Sequence, residues 1–181
     1  MDETKAIALC LRHRDPIGFE FLVRKYQREA LMHAAALLGN RDDAAEACQE
    51  SFASAFASLA RLPELTAFYP WFYRILRNRC LNVLARRKTA ASYARREMPL
   101  GEDTAASAES IASRDEERDK LWRALGSLKL EHREVLALRF MRGYDYDTLA
   151  TLLGVPRGTI MSRLYHARRA FQAAYSKENR S

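Results

Sequence analysis

Four arginines and no acidic residue occur between Arg157 and Ala174, so this stretch has the charge to bind an anion. Its apolar residues recur at i, i+4, i+7 and i+11, as on one packed face of a helix: Ile160, Leu164, Ala167 and Phe171. The opposite side carries a polar set, Ser162, His166 and Arg169, flanked by Thr159 and Arg163. This pattern favours a helix that packs on its inner side and meets DNA in a major groove on its outer side.

The elements that position this outer face are two short helices. Residues 146–153 have a helical pattern that runs into Gly154-Val155-Pro156, and a second helical pattern follows. Glycine readily takes the left-handed conformation that ends a helix, and proline suits the first position of the next helix. Two helices joined by so short a turn predict a helix-turn-helix. The alternative is an ordinary amphipathic helix pair whose charged face is simply solvated. Because the outer face carries basic residues and no acids, DNA recognition is favoured.

A second basic segment lies in a helix predicted at about 67–88. Residues 74–88 hold six basic residues and no acid: Arg74, Arg77, Arg79, Arg86, Arg87 and Lys88. Aromatic residues crowd the start of this helix. Because rings stack on bases that have left the duplex and cations hold phosphates, the segment suits single-stranded or opening DNA. For Trp71, a place in the protein core is the alternative to a base platform.

An acidic segment precedes it at residues 42–50, with four acids and no base: Asp42, Asp43, Glu46 and Glu50. It belongs to a predicted helix that Asp42 or Asp43 caps and that runs to Leu59. The predicted apolar stripe of that helix comprises Ala45, Cys48, Phe52, Ala55, Phe56 and Leu59. Acidic and basic helices in one chain predict several surfaces with different partners.

Composition narrows the class of protein. The chain has 181 residues, 48% of them hydrophobic, and a net charge of +7, which suits one or two folded domains and permits nucleic-acid partners. Only 7 glycines and 5 prolines interrupt a sequence rich in alanine, leucine and arginine, so helix is favoured. No apolar run approaches the ~20 residues of a membrane span, and the N-terminus lacks the pattern of a signal peptide. We therefore expect a cytoplasmic protein.

The sequence offers no enzymatic site. Three widely spaced cysteines in separate helical patterns predict reduced structural thiols: Cys10, Cys48 and Cys80. No two histidines stand at i, i+4 with a carboxylate, so neither a metal nor another cofactor is expected. Phosphate-loop and nucleophile motifs are absent from the sequence. The paired carboxylates Asp42-Asp43 and Glu116-Glu117 fall at predicted helix starts, where the helix dipole favours acids.

Residues 89–113 separate two groups of helices, because helical periodicity fades there and Pro99 and Gly101 lie close together. The patterns before this stretch predict helices at 4–13, 16–38, 42–59 and 67–88. Those after it predict helices at 115–125 and 131–141 and then the helix-turn-helix. The predicted fold class is all-α, with two small helical domains at 1–88 and 114–176, a flexible linker at 89–113 and a tail at 177–181.

Four stretches, in this order, resemble the extracytoplasmic-function (ECF) group of bacterial sigma factors, the promoter-specificity subunits of RNA polymerase. DPIGFEFLVRKYQ is similar to the opening helix pair of the group, and RDDAAEACQESFASAF to the helix with an acid, two residues and then Gln-Glu. AFYPWFYRILRNRCLNVLARR is similar to the promoter-melting helix, with its W-x-Y-R-I-x-x-N core intact. The segment from LEHREV to YHARRA is similar to the fourth domain. The resemblance covers nearly the whole chain.

The resemblance implies a role for each matching position. The β′ clamp helices of core RNA polymerase would be bound by Glu46, Gln49 and Glu50, and the β flap is a further implied core contact. The −10 element would be read by Asn78 and Asn82, with phosphates held by Arg77, Arg86 and Arg87 and with Trp71 beside them. The −35 duplex would be read by Arg157, Thr159, Met161, Ser162, Arg163 and His166. The resemblance also implies an anti-sigma partner and no catalytic residues.

Two positions depart from the pattern of the group. Leu62-Pro63-Glu64-Leu65-Thr66 replaces the Phe-Arg-Gly type of loop that captures a flipped −10 base. Met161 stands where lysine or arginine is common, which exchanges a cation for an apolar contact suited to a thymine methyl. In the linker, the acidic residues Glu102, Asp103 and Glu109 are expected to mimic nucleic acid near the active-site channel of the polymerase.

The sequence therefore predicts a sigma factor that directs core RNA polymerase to a restricted promoter set. A dimeric helix-turn-helix regulator that needs no polymerase is the first alternative, and it predicts palindromic duplex sites. A cytoplasmic enzyme or adaptor on a helical scaffold is an alternative from another class. It requires a pocket with converging ionisable groups, which the sequence does not offer.

Overall fold

A computed structural model describes residues 1–13, 16–63, 68–97 and 116–179, and within these ranges the chain is helical, with no β-strand. This confirms the predicted all-α class. Eight α-helices and one short 3₁₀ turn at Leu59–Arg61 follow in order: α1 Glu3–His13, α2 Pro16–Leu38, α3 Arg41–Ser58, α4 Phe68–Glu97, α5 Glu116–Gly126, α6 Leu130–Arg142, α7 Tyr146–Leu153 and α8 Arg157–Glu178.

Contacts divide the chain into two units. The first comprises Met1–Ala35 and Arg41–Leu81, and the second comprises Ala36–Asn40 and Asn82–Ser181. The predicted end of the fourth helix at Lys88 is wrong, because α4 continues to Glu97. Residues 89–97 contain several alanines and arginines, which are strong helix formers, and neither proline nor glycine interrupts them. The rest of the predicted linker, including its acidic residues Glu102, Asp103 and Glu109, lies outside the described residues.

The first residues of α2 and α3 test two helix starts that were predicted from the sequence. α2 begins at Pro16 as predicted, where the missing N–H costs no hydrogen bond. α3 begins at Arg41, so the prediction that Asp42 or Asp43 caps it is wrong. Both acids lie within the first turn instead, where they are favoured by the free N–H groups and the dipole of the helix.

The core of the first unit is built from aromatic side chains. Phe72 of α4 stacks on Phe52 of α3 with ring centroids 4.3 Å apart, and Phe68 stacks on Tyr26 of α2 at 5.6 Å. The buried imidazole of His33 lies 2.7 Å, through its Nδ1, from the hydroxyl of Tyr69. This core fixes α4 against α2 and α3.

Helix α1 closes on α2 through one close backbone approach and one polar contact. Gly18 is buried against α1, and a Cβ at this position would overlap the backbone oxygen of Ala6. Glu3 of α1 receives a salt bridge of 2.6 Å from Lys25 and a hydrogen bond from the Tyr26 hydroxyl. Burial of the phenol, together with its hydrogen bond to Glu3, raises the pKa of Tyr26 to about 12.

The buried stripe of α3 differs from the predicted one. Ala45 and Phe56 are exposed, and the buried residues are Ala44, Ala47, Cys48, Ser51, Phe52 and Ala55. Ser51 is accommodated because its hydroxyl donates to the Ala47 carbonyl, at 2.5 Å. A serine can be buried when its hydroxyl is hydrogen-bonded. The sequence prediction considered only apolar residues and therefore assigned the wrong buried face to α3.

The second unit packs α5, α6 and α7 against α8. Its core is aliphatic, with Val135, Leu138, Leu149, Ile160, Leu164 and Ala167 all buried. Two polar contacts fasten α5 to the end of α8. The Arg123 guanidinium lies 2.7 Å from a Glu178 carboxylate oxygen, and the Tyr175 hydroxyl donates to Glu117. α8 is therefore packed along its inner side and joined to α5 near its C-terminal end.

Candidate polymerase-binding and DNA-binding surfaces

The acidic surface lies on α3. Glu46, Gln49 and Glu50 are all exposed, and their i, i+3, i+4 spacing puts them on one side of the helix. The Glu50 carboxylate lies 3.1 Å from Nε of Arg79, which belongs to α4. The predicted polymerase-binding face is therefore ion-paired to the predicted DNA-binding helix, a link that the sequence does not reveal.

The aromatic start of α4 is mainly core. Phe68, Tyr69, Phe72 and Tyr73 are each at most 1% exposed. Trp71 is only half-buried, with its ring 6.0 Å from that of Phe68. Of the rings at the start of α4, Trp71 alone is accessible enough to meet a base, and Pro70 lies in the first turn as predicted.

The outer stripe of α4 carries the two asparagines. Asn78, Asn82 and Arg86 are exposed, and their spacing of four residues aligns them along one side of the helix. Arg77 is half-buried. Arg87 donates from Nη1 to the backbone carbonyl of Leu38, at 3.1 Å, so part of its hydrogen-bonding capacity serves the end of α2. Of the three predicted phosphate-binding arginines, Arg86 is the most available.

The turn between α7 and α8 has the predicted geometry. Gly154 adopts φ 67° in the left-handed region, where a side chain would be strained, and the Val155 N–H donates to the Ala150 carbonyl at 3.1 Å. Pro156 immediately precedes the first turn of α8. At the start of α7, the Asp145 carboxylate accepts from the Thr148 N–H at 2.7 Å. This hydrogen bond lowers the pKa of Asp145. The helix-turn-helix prediction is confirmed.

The outer side of α8 exposes most of the predicted reading residues. Met161 is 52% exposed, and Arg157, Ser162 and His166 are also exposed. Thr159 and Arg163 are half-buried at the flanks. The Ser162 hydroxyl donates to the Thr159 carbonyl at 3.0 Å, while Arg157 lies 3.6 Å from Asp147 of α7. The helix thus offers hydroxyl, imidazole, thioether and guanidinium groups along one accessible side.

Two further residues escaped the sequence analysis. Tyr165 is 57% exposed on α8, three residues after Ser162, so its position on the reading stripe was visible in the helical spacing. Arg79 was counted among the basic residues of α4, but its partner Glu50 is 29 positions away, and only the fold brings them together.

The described residues show no other chemistry of note. Cys10, Cys48 and Cys80 are buried and are not joined in disulfide bonds, and burial raises the pKa of the Cys48 thiol to about 12. In these ranges no group of three histidine, cysteine or acidic side chains is placed to hold a metal ion. None of the described helices combines the length and apolar character needed to cross a membrane.

Comparison with known proteins identifies two matching families, one in each half of the chain. Residues 22–90 match the Sigma-70 region 2 family, and residues 118–171 match Sigma-70, region 4. The chain is 30% identical over 168 residues to the RNA polymerase sigma-H factor of Pseudomonas aeruginosa, covering 88% of this chain and 87% of the relative. It is 31% identical over 168 residues to the ECF RNA polymerase sigma-E factor of Salmonella typhimurium, covering 86% and 85%.

A solved structure has the same fold. The sigma factor RpoE from Bartonella quintana, in a co-crystal with the anti-sigma factor NepR, superposes with a TM-score of 0.68 over 87% of this chain and 96% of that one, at 23% identity. The sequence and structural relationships agree. The chain therefore belongs to the ECF group of the sigma-70 family, the promoter-specificity subunits of bacterial RNA polymerase.

Proposed function

We propose that this sigma factor divides its work among three exposed helical faces. The acidic side of α3 binds core polymerase, the asparagine stripe of α4 reads the −10 element as it melts, and the outer side of α8 reads the −35 duplex. The observation that carries this division is the exposure of most of each predicted residue set on a helix whose opposite side is buried. The packed sides hold each face in place, and the exposed sides remain available to partners.

The polymerase contact is assigned to Glu46, Gln49 and Glu50. An acidic face is complementary to basic β′ clamp helices. Charge complementarity across an interface orients the two partners and raises their association rate. Glu50 already accepts a guanidinium within the chain, from Arg79. Its carboxylate is therefore oriented for an arginine donor. A second contact with core polymerase, at the β flap, is proposed here from membership of the ECF group.

The −10 contact is assigned to Asn78 and Asn82, with Arg86 on the backbone phosphates. Each asparagine amide offers a donor and an acceptor, so two amides one helical turn apart can bond to successive unpaired bases. Trp71 is accessible enough to stack on a base, although half of its surface is packed. Arg77 and Arg87 contribute less, because one is half-buried and the other bonds to the Leu38 carbonyl.

The −35 contact is assigned to the exposed residues of α8 together with Thr159 and Arg163 at its edges. Met161 adds an apolar surface where a cation is common in the group. An apolar side chain in the major groove contacts the methyl group of thymine, so Met161 is placed to favour a thymine. The promoter sequence recognised here is expected to differ at that base from the sequences of relatives that carry a cation.

Several features of the wider function follow from this assignment. Core polymerase forms the phosphodiester bonds of the transcript, so we propose no catalytic residue or cofactor in this chain. We also propose a cytoplasmic location beside the polymerase. The relative from Bartonella quintana was crystallised with an anti-sigma factor. We propose that this chain also binds an anti-sigma factor.

The test is reconstitution of the protein with core RNA polymerase, followed by mapping of transcript start sites on fragmented genomic DNA. Promoter-specific starts are expected, and Glu50→Ala is expected to weaken core binding at least tenfold, as loss of an interface charge commonly does. Glu20→Ala is the matched control, because Glu20 is an exposed acid on α2 that pairs with Arg24 four residues away. A dimeric regulator would give no specific starts and would tolerate both substitutions.

A further inference from the structure

Tyr165 and Arg169 form a pair on the exposed side of α8, outside the set predicted to read the −35 duplex. Arg169 Nη1 donates to the Tyr165 hydroxyl at 3.3 Å, and the guanidinium carbon lies 5.7 Å from the centre of the Tyr165 ring. The ring itself lies against His166, edge to face, with centroids 5.3 Å apart. Arg169 is thus supported by an aromatic side chain that is itself braced by a predicted reading residue.

The pair lies on the same stripe as the reading residues. Ser162, Tyr165 and Arg169 follow at i, i+3 and i+7, which aligns them along one side of a helix. All three are exposed, and the opposite residues Ile160, Leu164 and Ala167 are buried. Whatever surface Ser162 and His166 face, Arg169 faces too.

Arg169 keeps its charge available to an external anion. Among the described residues no carboxylate forms an ion pair with it, whereas Arg123 and Arg157 each have an acidic partner. A ring and a neutral hydroxyl restrict the guanidinium without neutralising it. Since less side-chain entropy is then lost on binding, the pair is preorganised for a phosphate.

The spacing along α8 indicates which part of the DNA Arg169 reaches. Seven residues separate Ser162 from Arg169, which is about 10 Å along a helix axis at 1.5 Å per residue. The major groove is about 12 Å wide. When Ser162 lies at the base edges, Arg169 is therefore at the level of a sugar-phosphate strand that borders the groove.

We propose that Arg169 binds a backbone phosphate at the edge of the −35 groove and that Tyr165 is the positioning residue that holds it there. The inference rests on the proposed role of α8 as the reading helix. The contact fixes the depth and register of the helix in the groove and carries no sequence preference of its own, because every base pair presents the same phosphates.

The experiment measures binding of the full-length chain to a 25-base-pair duplex of arbitrary sequence as salt is varied. A phosphate contact is sequence-independent, so the promoter need not be known. Arg169→Ala is expected to lower the slope of log K against log salt by about 0.9, which corresponds to about eightfold weaker binding over one decade of salt. Arg169→Lys is expected to keep the slope, because it keeps the charge.

Arg24→Ala is the matched control. Arg24 is an exposed arginine on α2 that lies 2.6 Å from Glu20, so its loss lowers the net charge by the same amount without changing α8. It is expected to change the slope by less than about 0.3. An equal slope change for both variants would show an effect of net charge and would overturn the placed contact.

A double-mutant cycle tests the role of Tyr165. Tyr165→Ala is expected to weaken duplex binding about two- to fivefold, Tyr165→Phe by less than about twofold, and Tyr165→Ala to have no further effect once Arg169 is alanine. A Tyr165→Ala loss that is the same in both backgrounds refutes the positioning role. An unchanged Arg169→Ala slope, or a wild-type chain that does not bind duplex, refutes the phosphate contact. Core-polymerase binding, measured separately, reports on the proposed function.

Discussion

The two units use their functional helices in opposite ways. In the first unit, α4 places Phe68, Tyr69 and Phe72 at the centre of the aromatic core while its other side carries Asn78. In the second unit, α8 contributes a narrow aliphatic stripe and leaves its whole outer side to solvent. With the roles proposed above, the first arrangement ties DNA contact to folding and to polymerase contact, and the second separates recognition from stability.

This difference suits the two tasks. A helix that opens a duplex must hold separated bases against the tendency of the strands to re-pair, so it benefits from a rigid, deeply packed base. A helix that reads an intact duplex needs an outer surface that can change with the promoter. A surface substitution away from the core usually changes stability by less than about 0.5 kcal/mol, so α8 can vary its specificity without loss of folding.

The largest expected effect is from Phe72→Ala. Phe72 is fully buried and stacks on Phe52 and Phe68, so its loss leaves a cavity and should lower the free energy of unfolding of the first unit by about 3–5 kcal/mol. Urea denaturation monitored by tryptophan fluorescence measures it. Met161→Ala on the outer side of α8 is the control and should change stability by less than about 0.5 kcal/mol. Similar losses for the two variants would contradict the contrast between the units.

The second effect concerns the Arg79–Glu50 ion pair. The pair is partly exposed, so Arg79→Gln should cost at most about 1 kcal/mol in stability. Because Arg79, on the proposed −10-binding helix, orients a carboxylate proposed to bind polymerase, the same substitution should weaken core binding by about three- to tenfold and also weaken binding of −10 single strands. Both are measured by fluorescence anisotropy.

Arg86→Gln is the matched variant for that prediction. Arg86 is an exposed arginine on the same helix, but no contact within the described residues joins it to α3. It should weaken only the single-strand binding. If Arg79→Gln behaves in the same way as Arg86→Gln, the acidic side of α3 and the asparagine stripe of α4 act independently.

The third prediction tests whether a residue on the outer side of α8 can change without loss of stability. Met161→Arg adds a cation on the exposed side and should steepen the salt dependence of duplex binding by about 0.9, or about eightfold in affinity over a decade of salt. Core binding and the melting temperature should not change. Selection of bound sequences from a random duplex pool should show loss of a thymine preference at one position. A fall in melting temperature would mean that Met161 contributes to packing after all.

The sequence predicted most of the second unit and less of the first, for a physical reason. Local signals determine the helix-turn-helix, because Gly154 ends α7 and Pro156 precedes α8 within three residues. The buried face of α3, in the first unit, depends on a serine that satisfies its own hydroxyl. In the second unit, the part of α4 past Lys88 was missed because its helix formers also occur in linkers. The Arg79–Glu50 pair is a product of helix packing alone, so no local pattern contains it.

The smallest expected effect is at the N-terminal cap of α7, in the second unit. The Thr148 N–H bond lowers the folded-state pKa of Asp145 below its ordinary value of 3.8, so the charged carboxylate stabilises α7 above that pH. The stabilisation is lost as pH falls through the lowered pKa. Asp145→Ala should therefore lower the melting temperature at pH 7 by about 4 °C, and the difference from wild type should shrink as the pH falls below 3.8.

Asp145→Asn separates the charge from the hydrogen bond, because an amide oxygen still accepts from the Thr148 N–H but does not titrate in this range. It should retain most of the melting temperature at pH 7 and lose the acid dependence. Asp2 is the internal reference, since its carboxylate accepts from the Lys5 N–H at 2.8 Å at the start of α1 and its pKa is lowered in the same way. The first unit should therefore keep its own acid transition in both Asp145 variants. A shift of that transition would show that the units do not fold independently, and the separation of recognition from stability would then be incomplete.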